Sequence, residues 1–134
     1  MYKVLIADDE PLVRIGLASS IPWKELDLAL VGEASNGKEA LALIEAYEPD
    51  ILLLDIGMPV MDGIRLLEIL KERKYAVQTL VLSCHNEFEY VKQALKLGAF
   101  DYILKLSLDV DELTRQLKPV SYTHLRAHET RSNL

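Results

Sequence analysis

Apolar and polar positions follow two alternating patterns along the chain. The stretches "YKVLIA" (Tyr2–Ala7), "ALVGEA" (Ala29–Ala34), "DILLLD" (Asp50–Asp55), "TLVLS" (Thr79–Ser83) and "DYILK" (Asp101–Lys105) are short and apolar. Each reads as a strand buried on both faces. Between them the apolar period lengthens to that of a helix. Pro11 suits a first helical turn, after which Leu12, Ile15 and Ser19 share one face and Val13, Leu17 and Ser20 lie beside it. Asn36 is placed to cap a second helix carrying Ala40, Leu41, Leu43, Ile44 and Tyr47, and Pro49 stops it. Gly63–Lys74 predicts a third helix with Ile64, Leu67 and Leu70 facing inward. Glu87–Leu97 predicts a fourth, closed by Gly98 in a left-handed cap, and Asp109–Leu117 a last one. Strand and helix alternate five times without an internal repeat or linker. That order predicts an α/β fold of flavodoxin-like, doubly wound type: a five-stranded parallel sheet with helices on both faces, (βα)5.

The periodicity stops near Leu117. "PVSYTHLRAHETRSNL" (Pro119–Leu134) has neither helical nor alternating spacing. His124 and His128 lie four apart, but no acid or cysteine pattern completes a metal set around them. Permitted codons for Pro119–Thr130 can be chosen to read like a transposase-based sequencing-library adapter. Residues 1–118 are therefore taken as the domain and 119–134 as a non-native, disordered tail, an adapter-derived or truncation scar outside the fold. On that reading the natural protein continues past Lys118. Leaving out Arg126, Arg131 and Glu129 changes the basic count from 15 to 13, the acidic count from 21 to 20 and the net charge from -6 to -7.

Composition narrows the function classes. At 134 residues and 50% hydrophobic content the chain suits one core. No apolar run approaches the roughly 20 residues that span a bilayer. The opening "MYKVLIADDE" meets three acids too early for a signal peptide. One cysteine, Cys84, precludes an internal disulfide and agrees with a reducing compartment, so a cytoplasmic location is expected. A net charge of -6 makes this segment a poor partner for a phosphate backbone, so DNA binding would need another domain.

In a doubly wound sheet, ligands bind at the carboxyl ends of strands beside the switch point. The residues ending the predicted strands are Asp8 and Asp9, Asp55, Ser83 and Lys105. If the first and third strands are neighbours, three carboxylates meet. They raise one another's pKa unless a cation sits among them. Hard oxygen ligands with room for water suit Mg2+. A carboxylate can also attack phosphorus to give an aspartyl phosphate. Lys105 can offer the phosphate a point charge, and Ser83 a hydroxyl donor. Taken singly these residues have plainer readings: helix-capping acids, a turn serine, a solvated lysine and, for Tyr102, a core aromatic. Their shared position at one end of the sheet favours chemistry.

These residues also carry a resemblance. "IADDE", "DIGMPVMDG", "LSCHNEFEY" and "GAFDYILK" resemble the response-regulator receiver domain of bacterial two-component signalling, over Met1 to about Leu117. "IPWKEL" and "NEFEYVKQALKLGAFDYILK" resemble the subfamily fused to an AraC-type helix-turn-helix domain, which would lie beyond the point where the tail begins. The resemblance implies a regulatory phosphoacceptor, not an enzyme with a separate substrate, that supports its own phosphotransfer and dephosphorylation. Asp55 would take a phosphoryl group from a sensor histidine kinase. Asp8, Asp9, Asp55 and the Gly57 backbone carbonyl would hold Mg2+, and Lys105 would contact the phosphate. Ser83 and Tyr102 would be the switch pair. Their movement would alter the surface of the fourth helix, fifth strand and fifth helix, which could also join a homodimer. DNA would be reached only through a C-terminal domain, for transcription regulation, and no membrane is involved.

Two departures accompany the match. Leu106 follows Lys105 where receivers commonly have proline, so a trans bond is expected there. Gly57 has no side chain to shield a phosphoryl group on Asp55 from water. A metal-dependent phosphatase would want a second acid at position 57. A nucleotide-binding module would want a glycine-rich loop after the first strand. Neither is present. The remaining alternative is an unphosphorylated pseudo-receiver serving as a docking or dimerisation module.

Overall fold

A computed structural model describes residues 1–84, 87–105 and 111–118. The elements are β1 (Tyr2–Ala7), α1 (Pro11–Ser20), β2 (Leu28–Ala34), α2 (Gly37–Tyr47), β3 (Ile51–Asp55), α3 (Gly63–Glu72), β4 (Gln78–Ser83), α4 (Phe88–Lys96) and β5 (Asp101–Leu104). A final helix, α5, covers residues 111–118. All strand pairs are parallel, in the order β2-β1-β3-β4-β5. β1 and β3 are therefore neighbours, and the chain reverses its direction of travel across the sheet between them, as expected.

Two cores follow from the two-residue period of the strands. Leu5, Ala7, Leu52 and Leu54 face α2, α3 and α4, meeting Ala40, Ile44, Leu66, Leu70, Val91 and Ala94. Val4, Ile6, Leu53, Leu80 and Ile103 face the other way, onto Leu17 of α1 and Leu113 and Leu117 of α5. β3 is buried along its whole length, which is why its sequence is a continuous apolar run.

Local signals explain most of the boundaries. Asn36 Oδ1 accepts the Glu39 N–H at 2.8 Å, while the Glu39 carboxylate accepts the Ser35 N–H at 3.1 Å. α2 ends at Tyr47 because Glu48 adopts a left-handed conformation just before Pro49. α3 ends at Glu72, short of the expected Lys74, because Lys74 itself is left-handed (φ 58°). Gly98 has φ 110°, as its expected cap requires. β2 begins one residue earlier than expected, β3 one later, and α4 starts after Glu87. In α3, Leu67 and Leu70 are buried and Ile64 partly so, joined by Leu66 and Ile69. In α1 the structure selects the Leu17 side for the core and leaves Leu12 and Ile15 exposed. The Lys105–Leu106 bond, the expected start of the last helix at Asp109, and the 119–134 segment with His124 and His128 lie outside the described residues. Among the described residues no helix is long and apolar enough to cross a membrane.

Candidate functional site

The carboxyl ends of β1 and β3 deliver Asp8 and Asp55 side by side. Asp55 is the last residue of β3, and the apolar packing of Ile51–Leu54 fixes its position. Gly63 allows the chain to fold back behind it. A Cβ there would come within 2.8 Å of Ile56 Cα and 2.9 Å of the Asp55 carbonyl oxygen, a fit only glycine makes. The Gly63 N–H donates to the Ile56 carbonyl at 2.8 Å, closing the loop that leaves Asp55. Asp8 continues β1 by donating its N–H to the Ala34 carbonyl at 2.9 Å.

Both carboxylates are buried, and a single ammonium joins them. Lys105 Nζ lies 3.0 Å from Asp8 Oδ2 and 3.1 Å from Asp55 Oδ2. It also contacts Glu10 Oε1 at 2.9 Å. The other oxygens are held by backbone donors: Asp8 Oδ1 accepts from the Glu10 N–H at 2.8 Å, and Asp55 Oδ1 from the Gly57 N–H at 3.1 Å. Asp9 is exposed, with its carboxylate beside that of Asp55.

Burial comes first in the electrostatics of the site, and neighbouring charges second. Burial pushes the Asp8 carboxyl above its usual pKa, against the lowering effects of the Glu10 N–H and Lys105. Asp9 is also raised, by burial first and then by the neighbouring Asp55. Burial by itself would lower the Lys105 ammonium. Its bonds to Glu10 and Asp8 and the charges of Asp55 and Asp8 outweigh that, so its pKa rises and it stays a cation.

Ser83 closes β4 one residue past the partner of Asp55, and its Oγ is buried without a hydrogen-bond partner among the described residues. Tyr102, in β5, is 42% exposed and not the core aromatic of its plainest reading. The predicted residues thus separate into a bonded centre (Asp8, Asp55 and Lys105, with Asp9 and Gly57 at its edge) and two outlying groups, Ser83 and Tyr102. Two acids were missed. Glu10 stands in the run "DDE", so its nearness to the site was legible. Glu87 was not: its Oε1 accepts the Cys84 N–H at 2.6 Å, and its other oxygen reaches Gly57.

Asp8, Asp9 and Glu10 each present an oxygen within 4.8 Å of the others. Asp55 is not a member of that close trio. The donor set is all oxygen and short of positive charge, which fits a hard divalent cation such as Mg2+.

Comparison with known proteins identifies the family in which this sheet order and acidic site occur. The family model for the response regulator receiver domain matches residues 4–118, and the chain belongs to that family. It is 44% identical over 105 residues to the transcriptional regulatory protein YesN of Bacillus subtilis, covering 78% of this chain and 28% of that protein. The receiver domain of AraT, a response regulator from Geobacillus stearothermophilus, superposes with a TM-score of 0.88 at 35% identity, covering 95% of this chain and 98% of that one. A two-component transcriptional regulator AraC from Clostridium phytofermentans gives a TM-score of 0.84 at 33% identity, covering 94% and 97%. The family is regulatory, and a phosphoacceptor role is general to it. The chain spans between 28% and 41% of the length of the first curated relatives it matches.

Proposed function

We propose that Asp55 is the phosphoacceptor of this receiver. The observation that carries the reading is the Lys105 ammonium bridging Asp8 and Asp55 in a buried setting. A carboxylate oxygen of Asp55 attacks the phosphorus of a sensor kinase phosphohistidine, and the nitrogen–phosphorus bond breaks. Asp55 then carries the phosphoryl group, and Lys105, within 3.1 Å of its carboxylate, pairs with a charged phosphoryl oxygen. Asp8, Asp9, Asp55 and the Gly57 carbonyl are the groups assigned to Mg2+, with Glu10 near enough to join them. When bound, Mg2+ neutralises charge on the phosphoryl oxygens. The nearness of Asp8, Asp9 and Glu10, whose oxygens lie within 4.8 Å of one another, supports this assignment, because repulsion among carboxylates is what a divalent cation relieves.

The Ser83 hydroxyl, without a partner among the described residues, supplies the switch. It donates to a phosphoryl oxygen once Asp55 is modified, drawing the loop after β4 inward. Tyr102 then turns from its exposed position toward the vacated space. The affected face carries exposed apolar side chains, Phe88 and Leu95 of α4 with Tyr102, suited to a homodimer or an output domain. That output is an AraC-type DNA-binding domain C-terminal to the receiver, in a cytoplasmic transcription regulator. The receiver also supports loss of its own phosphate.

The test is labelling by acetyl phosphate with Mg2+, read by intact mass. The parent should gain one phosphate and Asp55→Asn none. Equal labelling of both would remove Asp55 from the role. A folded parent that takes no phosphate would make the domain a docking or dimerisation module.

A further inference from the structure

We propose that Glu87 is a charge gate and positioning residue for the reaction at Asp55, standing in the place of the side chain that residue 57 lacks. This rests on Asp55 being the phosphoacceptor. A Cβ built on Gly57 would lie 3.0 Å from Glu87 Oε2 and 3.9 Å from Asp55 Oδ1. One oxygen of the Glu87 carboxylate therefore borders the space beside the acceptor where a side chain at 57 would begin, and such a side chain would compete with it for that space.

Glu87 is held there from its own loop. Its Oε1 accepts the Cys84 N–H at 2.6 Å, and its N–H donates to the Cys84 carbonyl at 3.1 Å. Cys84 directly follows Ser83, so the bond also restrains the backbone at the end of β4. Among the described residues no cation pairs with Glu87. It lines a cleft of about 260 Å3 with Ile56, Gly57, Met58, Asp62 and Tyr90, so among the described residues two acids and no base flank that approach.

The consequence is electrostatic. An anion arriving on Asp55 adds negative charge near a carboxylate that no cation among the described residues pairs with. Repulsion opposes occupancy of the site by small anionic donors. It also weakens the hold of the Glu87 carboxylate on the Cys84 N–H when Asp55 is modified. Glu87 thus acts on occupancy of the acceptor through charge.

Beryllofluoride, titrated at saturating Mg2+ and followed by amide NMR shifts, tests this directly. Glu87→Gln keeps the acceptor for the Cys84 N–H and removes the charge. It should lower the apparent dissociation constant about three- to tenfold in low salt, as expected for one nearby like charge at a solvent-accessible site. The difference should shrink at about 0.5 M salt, where charges are screened within a few ångströms. Glu87→Ala should bind at least as well as Glu87→Gln, because it also lacks the loop bond. A purely structural capping role would leave Glu87→Gln equal to the parent, and that result, or weaker binding, overturns the gate. If Asp55→Asn abolishes binding while Glu87→Gln matches the parent, the gate falls and the phosphoacceptor stands. If neither the parent nor Glu87→Gln binds, the phosphoacceptor reading falls and takes the gate with it.

Discussion

Lys105→Met is the substitution that most directly probes the centre of the site. Methionine keeps an unbranched stem of similar length and removes the ammonium. Asp8 and Asp55 are then left as buried carboxylates without a counter-charge. At 3.0 and 3.1 Å, each pair is worth about 5 kcal/mol of Coulomb attraction at an effective dielectric constant of about 20. Desolvation of the three groups offsets much of that. The contact with Glu10, whose side chain is 55% exposed, contributes little. Removing one partner of a buried ion pair costs about 3–5 kcal/mol, because the remaining charge stays uncompensated. Protonation of one carboxylate limits the loss, so about 3 kcal/mol is expected without metal. Urea unfolding in EDTA, followed by circular dichroism and by the fluorescence of half-buried Trp23, measures it. Repeating the unfolding in millimolar Mg2+ should reduce the loss to about 1 kcal/mol, since a divalent ion supplies the missing positive charge. Adding Asp8→Asn to Lys105→Met should restore part of the stability in EDTA. A loss below about 1 kcal/mol in EDTA, or an equal loss with and without Mg2+, would refute the idea that Lys105 neutralises this site.

Three further outcomes are expected. Mg2+ at ten times its dissociation constant should stabilise the parent by about 1.4 kcal/mol, a rise of several degrees in Tm; Asp9→Asn should shrink that rise, and a parent unmoved by Mg2+ would count against the cluster. Ser83→Ala should still accept phosphate, because nucleophile and counter-charge remain, but should lose the NMR response of Tyr102 to beryllofluoride; an undiminished response would route the coupling elsewhere. A chain ending at Lys118 should melt within about 1 °C of the full chain. The family match stops at Lys118, and Leu117 is the last member of the α5 apolar stripe; a marked loss of stability would mean that residues 119–134 pack, and would refute the view of them as a scar.

The order of strands and helices was legible in the sequence because each element declares itself locally. Five apolar runs too short for helices alternate with stretches of helical period, and Asn36, Pro49 and Gly98 mark where helices begin or stop. Once the sheet is parallel, the polar residues ending its strands must gather at one edge. Asp8, Asp55, Ser83 and Lys105 were therefore placed together before any distance was known. Periodicity alone did not say which side of α1 faces the core. Leu12 with Ile15 and Val13 with Leu17 are both apolar pairs, and only docking against β1 and β3 buries Leu17 and leaves Leu12 and Ile15 in solvent. Likewise, strand-end logic brought Lys105 to the site but not its choice of oxygens. That choice depends on how far an ammonium at the end of β5 reaches across two intervening strands to β1. The pairing of Glu87 with the gap at Gly57 is the clearest case of information absent from local sequence. A glutamate before a helix and a glycine in a turn are each ordinary, and they form one feature only because β3 and β4 are adjacent and in register at Asp55 and Leu82.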